Sequence, residues 1–523
     1  MSTIPEDRHR NVVPRLRSFI TTLALGELDA PTRPVHVVDE QSLDSLERNI
    51  VAWHKNRTVP FAADVVSSAF VLNKTDAVRD AAEFLLSPAS QAPDAAKLIA
   101  SKIVTPNDGK SVREKIVGSS VGVPSVADVR STVHLLRQRV KDEPRNGLLW
   151  TELAREYALV GLYDKAERAM DVAVSLGRSN RFVLRSAARL YLHIGRPGKA
   201  YYVLTRSDAT RYDPWLLSAE IAVASAVKRT SQHVMAARRM LKDDSIFVFH
   251  KNELASAVGT LELQNGKIKL ARDLFKSALA APTENSVAQV EWAHRQQHIP
   301  GIDVDLERMR IETPRSFEAR AWDHLLNLRW QEAFDESFHW FYDQPFSSRP
   351  VVFGSFVGGC ILEDFQNTER LVRYGLTANP DDAILLNNLA FIYATSGAVD
   401  SARKEFEKIK PEQVKEVSQE IAITATDGLL EFRSGNPSAG RTLYHKAIAL
   451  ATGEKFRTSR ALASIYLAKE EVLAATENAT RALQDASREI NRLSSPDSYY
   501  CQLILQRVRD FADKPHSSFR NSA

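Results

Sequence analysis

Two histidines, His294 and His298, stand one helical turn apart in His294-Arg295-Gln296-Gln297-His298, a spacing that can hold zinc on one helix face. The metalloprotease form of that spacing carries a glutamate directly after the first histidine as general base, and Arg295 occupies that place. With only two cysteines in the chain, Cys360 and Cys501, nothing supplies a further thiolate cluster, and the pair reads as two surface histidines. A second candidate is the run Pro34-Val35-His36-Val37-Val38-Asp39-Glu40, which with Asp64 and Asp76 could hold Mg²⁺ as a nuclease does. Such a site needs several strands to converge its acids, and the sequence offers one short β-like run. A loop with helix-capping acids is the simpler reading. No P-loop, dinucleotide glycine fingerprint or serine-hydrolase elbow is present. Gly354, Gly358 and Gly359 read as close-packing positions on a helix. The sequence therefore assigns no catalytic, cofactor-binding or metal-ligating residue.

Composition narrows the classes further. The 44% hydrophobic and 26% charged content is that of a folded chain, which excludes bulk disorder and collagen-like structure. A net charge of +4, from 69 basic and 65 acidic residues, is too small to argue for nucleic-acid binding, so nucleic acid is an unfavoured direct ligand. Two distant cysteines imply no disulfide framework, and a reducing cytoplasm is the expected location. No stretch reaches the ~20 apolar residues of a membrane span. Arg8, Arg10, Arg15 and Arg17 precede Phe19-Ile20-Thr21-Thr22-Leu23-Ala24-Leu25. That apolar run is short, broken by two threonines and followed by Glu27 and Asp29. It reads as an amphipathic first helix behind a basic arm rather than as a secretory signal.

What the chain does show is a repeat. Trp150, Leu153, Ala154, Tyr157, Gly161, Tyr163, Ala166, Met170 and Ala173 form a pattern. Leu184, Ala187, Ala188, Tyr191, Gly195, Pro197, Ala200, Leu204 and Ser207 restate it one unit of ~34 residues later. Leu386, Leu389, Ala390, Tyr393, Gly397, Val399, Ala402, Phe406 and Ile409 restate it again, with further units beginning at Asn252, around Gly428 and around Leu462. Weaker units fall near 215–245, 286–299, 314–347 and 349–382, giving about nine in all.

These units resemble the tetratricopeptide family over about 146–484, roughly two-thirds of the chain. The resemblance implies an all-α fold: a tetratricopeptide-like α-solenoid, a right-handed superhelix of helix hairpins, with a mainly helical region before it. Each unit is expected to be helix A, a tight turn and helix B, with small residues where the helices approach and a glycine in the turn.

The expected organisation is a flexible N-terminus over 1–12, a mainly helical region over 13–110, and a linker with a leading helix over 111–145. The solenoid then occupies 146–299 and 314–484, interrupted by an insertion or hinge at 300–313. A capping helix over 485–514 and a flexible tail over 515–523 follow. Within 13–110, Leu43, Leu46, Ile50 and Trp53 share one helical face, and Pro60, Asp76 and Pro93 open three further helical segments.

In the family, ligand contacts come from helix A, on the concave face. Carried over residue by residue, the groove places are Arg155, Arg185, Arg189, His193, Asn387, Asn388, Phe391, Arg457 and Arg460. Arginines there favour a carboxylate or phosphate, hence a protein or peptide partner of acidic character. Asn388 sits at a place used by the family's carboxylate clamp, but the lysines of that clamp are missing. A second candidate surface is aromatic: Trp340, Phe341 and Tyr342 are consecutive and cannot all point inward from one helix, so an interface is expected there. The function expected from these features is a non-enzymatic scaffold or adaptor. The alternatives are a regulatory or sensor subunit of an effector system, such as toxin control, phage defence or a nucleic-acid enzyme, and an enzyme with its site in the N-terminal region.

Overall fold

A computed structural model describes residues 10–18, 40–71, 78–88, 90, 92, 94–104, 126–297 and 313–513. The chain forms two compact units, Ser18–Gly122 and the combination of Met1–Arg17 with Val123–Ala523. In the first, four helices are described: α1 (Glu40–Lys55), α2 (Val59–Val71), α3 (Arg79–Leu86) and α4 (Asp94–Val104). Leu46, Trp53, Val65, Val66, Ala82 and Leu85 form the centre of its core. The Trp53 indole N–H donates to Asp80 at 2.9 Å, so the one polar atom of this buried ring is satisfied. The Pro34–Asp39 run and Asp76 lie outside the described residues. Glu40 opens α1 and Asp64 sits on α2. Among the described residues there is no strand, and no group of three or more His, Cys, Asp or Glu side chains that could hold a metal ion.

The second unit is a tetratricopeptide-like solenoid. After α5 (Val126–Asp142) come the first four hairpins. They are α6 (Gly147–Leu159) with α7 (Tyr163–Leu176), α8 (Arg181–His193) with α9 (Pro197–Arg206), α10 (Pro214–Ala226) with α11 (Val234–Leu241), and α12 (Val248–Gln264) with α13 (Ile268–Leu279). Helix α14 (Glu284–Gln297) follows, and the expected hinge at 300–313 lies almost wholly outside the described residues. Five more hairpins complete the stack: α15 (Phe317–Leu326) with α16 (Trp330–Asp343), α17 (Ser348–Phe356) with α18 (Phe365–Ala378), α19 (Ala383–Thr395) with α20 (Val399–Phe406), α21 (Val417–Arg433) with α22 (Pro437–Leu450), and α23 (Arg457–Leu473) with α24 (Ala479–Ile490). Helix α25 (Asp497–Ala512) closes the end, burying Tyr500, Ile504, Leu505 and Val508. No helix among the described residues is long and apolar enough to cross a membrane.

The local causes repeat with the units. Side chains at Asn146, Asn180, Asp213 and Asp382 accept hydrogen bonds from the first free N–H groups of α6, α8, α10 and α19. Each of the nine described hairpins turns through one residue in the left-handed region. Five of these are glycines: Gly161, Gly195, Gly266, Gly397 and Gly435. At the other four turns the same conformation is held by Lys228, Leu328, Glu363 and Ala475. A side chain resists that conformation, so these four turns are strained where the glycine turns are not. Packing is close in the middle of the stack. A Cβ on Gly354 would stand 2.4 Å from Leu371 and Ser337, and one on Gly358 2.4 Å from Thr368. These glycines are close-packing positions against α16 and α18.

The aromatic expectation at 340–342 is corrected here. Trp340 and Phe341 are buried in the main core, and Tyr342 packs partly buried against it. Phe341 stacks on Tyr374 and Trp340 meets Phe353 edge-on. Three consecutive aromatics are absorbed because hairpins lie on both sides of α16, so more than one face of that helix is covered.

Replacing Lys228, an exposed turn residue, with glycine should stabilise the chain by ~1 kcal/mol, whereas Gly435→Ala should cost about as much. No atom lies within 4 Å of a Cβ built on Gly435, so the second effect is conformational alone. Denaturant midpoints of the two variants, moving in opposite directions, check this.

Candidate groove and its occupant

The carried-over groove residues do not converge on one another. Arg155 pairs with Glu156 at 2.5 Å. Arg185 pairs with Glu253 at 2.7 Å and donates to the Trp215 carbonyl at 2.8 Å. Arg457 pairs with Glu454 and Arg460 with Glu489. Asn387, Asn388 and Phe391 are fully buried: Asn388 donates to Ser355 Oγ at 2.7 Å, and Phe391 meets Tyr466 edge-on. These arginines are already neutralised by the chain's own carboxylates, which removes the reason to expect an acidic ligand at them.

Arg189 and His193 belong to a different feature, a seam where the solenoid meets itself. Arg189 lies over the Phe346 ring at 5.2 Å, and His193 sits edge-on between Tyr163 and Phe346. Tyr163 Oη donates to the Ala378 carbonyl at 2.5 Å. Gly161 lies so close to Pro380 that a Cβ would stand 2.9 Å from the ring. The turn of the first hairpin thus touches the end of α18, in the sixth hairpin of the chain. Burial first, and the charge of Arg189 second, push the His193 imidazole down to about 3, so it is neutral at physiological pH. Burial, then the neighbouring Arg349, lowers Arg189 to about 10.

Inside this turn lies an extended segment, residues 10–17, part of the basic arm. Residues 10–17, which span the end of the expected flexible N-terminus over 1–12 and the start of the expected mainly helical region over 13–110, run without helix along the A helices, and the first helix expected over Phe19–Leu25 lies outside the described residues. Burial alternates along it as in a strand: Arg10, Val12, Pro14 and Leu16 are buried, and the residues between them half-buried. Pro14 has no N–H to satisfy and biases Val13 toward extended backbone, so this sequence takes the groove conformation readily. Val12 enters an apolar cluster with Leu217, Ile221, Leu254, Ala257 and Val258 of α10 and α12. Leu16 joins the core of the first hairpins.

Polar contacts fix the register. Arg10 makes a two-pronged pair with Glu318 at 2.8 and 3.0 Å, and also donates to Gln289 Oε1 at 2.7 Å and Asn285 Oδ1 at 3.0 Å. The same two amides reach the segment's backbone: Gln289 Nε2 donates to the Arg10 carbonyl at 2.8 Å and Asn285 Nδ2 to the Val13 carbonyl at 3.1 Å. Arg15 and Arg17 both bind Asp343, at 2.6 and 3.2 Å, and Arg17 lies 3.6 Å from Glu284. Asp343 is the last residue of α16, where the helix dipole adds to its own negative charge and favours cations. Burial alone would raise the Glu318 carboxyl; Arg10 and Arg349 beside it outweigh that and hold it far below the usual carboxylate range.

Of this set, sequence reasoning noted Arg10, Arg15 and Arg17 as a basic arm but not their receptors. The available signal was Glu318, at the fifth place of the 314–347 unit, one of the family's groove places. The carried-over groove places are arginines, asparagines, His193 and Phe391, with no acid among them.

No family model matches this chain, and no curated protein does. Among solved structures it is similar to yeast Tom70, at 12% identity over 86% of this chain and 96% of that one, with a TM-score of 0.29. It is also similar to the Cut9–Hcn1 hetero-tetramer structure, at 12% identity over 94% and 98% with a TM-score of 0.36. A human IFIT1 dimer with PPP-AAAA is matched at 10% identity over 94% and 100%, with a TM-score of 0.26. All three scores are low, and the reading of the groove rests on the side chains above.

Because the Glu318 carboxyl is depressed in the folded chain, its stabilising contribution is present above the unfolded carboxylate value, near 4.5, and is lost as pH falls toward the folded one. Glu318→Gln should therefore lower stability at neutral pH by ~3 kcal/mol, having broken a buried charge pair. It should also flatten the loss of stability between pH 5 and 3, read by chemical denaturation at each pH.

Proposed function

We propose that this chain is a non-enzymatic interaction scaffold whose A-helix groove holds an extended stretch of a protein partner. One observation carries the reading: Asn285 and Gln289, both buried, bind a peptide backbone and its side chain at once. Amide clamps on carbonyls recognise extended main chain whatever its sequence, while pockets such as that of Val12 add selectivity. A second reading, a regulatory or sensor subunit of an effector system, is favoured by the groove being occupied from within the chain, as a switch requires. Both readings keep the protein in the interaction class, and we place it in the cytoplasm on its cysteine usage.

Photo-crosslinking in the cells of origin tests the proposal. A benzoylphenylalanine at Arg349, half-exposed beside Glu318, should capture a discrete protein partner. The same probe at Tyr202, exposed on the B helix α9, should not. Adducts confined to the Tyr202 position, or none at either, would remove the groove from the function.

A further inference from the structure

The groove floor under residues 10–17 presents Glu284, Asp343 and Glu318, the last also paired with Arg349 of α17 at 2.9 Å, and the segment presents Arg10, Arg15 and Arg17. From this complementarity we infer that the partner taken by the groove is a basic extended peptide, and that residues 10–17 are a tethered stand-in which it displaces. The inference rests on the scaffold reading and adds the ligand's chemistry to it.

The ligand pattern can be read off the occupant. A first arginine pairs with Glu318 and the two amides. An aliphatic residue two places on fills the Val12 pocket. Then comes arginine–aliphatic–arginine, five to seven places after the first, with the two arginines on Asp343 and the aliphatic side chain in the core. An acidic peptide is disfavoured on this stretch, because it would set carboxylates against Asp343 and Glu284 inside a partly desolvated groove, while Glu318 keeps its pair with Arg349.

Several properties make the occupant a competitor rather than a strut. It has no helix or sheet hydrogen bonds of its own, and the floor's side chains carry its register. It belongs to the same chain, so it competes at the effective concentration of an intramolecular ligand, on the order of millimolar. A partner must outbid that occupancy, and its apparent affinity falls by the fraction of chains with an open groove.

The experiment uses the full chain and a fluorescein-labelled peptide copying residues 8–19. Binding to the wild type should be weak. The variant Arg10→Glu with Arg15→Glu, whose own segment is repelled by the floor, should bind the peptide at least ~10-fold tighter, the factor by which the closed form had masked the site. Adding Glu318→Gln and Asp343→Asn to that variant should abolish the gain. A peptide with its arginines changed to glutamate should bind neither chain.

A second measurement avoids charge reversal in the chain. In Val12→Cys the new thiol replaces a side chain that is 1% exposed, and Cys360 and Cys501 are fully buried, so thiol labelling is slow. Saturating peptide should speed labelling several-fold, and the glutamate peptide should not. If the peptide neither binds the charge-reversed chain more tightly nor speeds labelling, the segment is a permanent brace and the inference is overturned. The photo-crosslinking outcome stays separate, because it reports where a partner sits and not its charge or whether it displaces anything.

Discussion

No hairpin in this chain can cover its own apolar face, and the rest of the molecule follows from that constraint. Ala154, Ala187 and Ala390 are fully buried because small side chains are what let helix A and helix B meet and leave the large residues for the next hairpin. Stacking turns every A helix to the same side. The long row of A helices must then present polar or charged groups inward or be covered. Here part of the row is covered by residues 10–17, and the apolar side chains of Val12 and Leu16 complete cores that the hairpins leave open.

The same constraint explains what could be read from the chain and what could not. A repeat is legible where its turn is a glycine, since the left-handed conformation then leaves a mark in the sequence. Gly161, Gly195 and Gly397 head the clearest units. Lys228, Leu328 and Glu363 hold the same conformation in units that read as weak. The fold was visible because packing is local and periodic. The groove was not, because Arg10 and Glu318 are 308 residues apart and nothing periodic links them. Their pairing depends on how the stacked hairpins curve, a sum of small rotations that no single unit displays.

Charge in the groove shows how far position overrides composition. The chain is nearly balanced, +4 over 523 residues. Arginine is the residue type that stood out at the carried-over groove places, yet Arg185, Arg457 and Arg460 each meet a carboxylate from a neighbouring turn or helix. Asp343 faces the arm instead, and Glu318 is shared between Arg10 of the arm and Arg349 of α17. Counting charges by residue type at groove places therefore misses how many of them the chain neutralises itself.

The seam at Tyr163 and Ala378 has a topological consequence. A chain lying inside a turn that touches itself cannot lift off sideways without parting that contact; it must slide out lengthwise or wait for the turn to spring open. Dwell time is then set by the length and bulk of whatever flanks the bound stretch as much as by the contacts made. A solenoid that is open along its side tests a ligand by affinity, whereas one that returns on itself also tests whether the ligand has a free end.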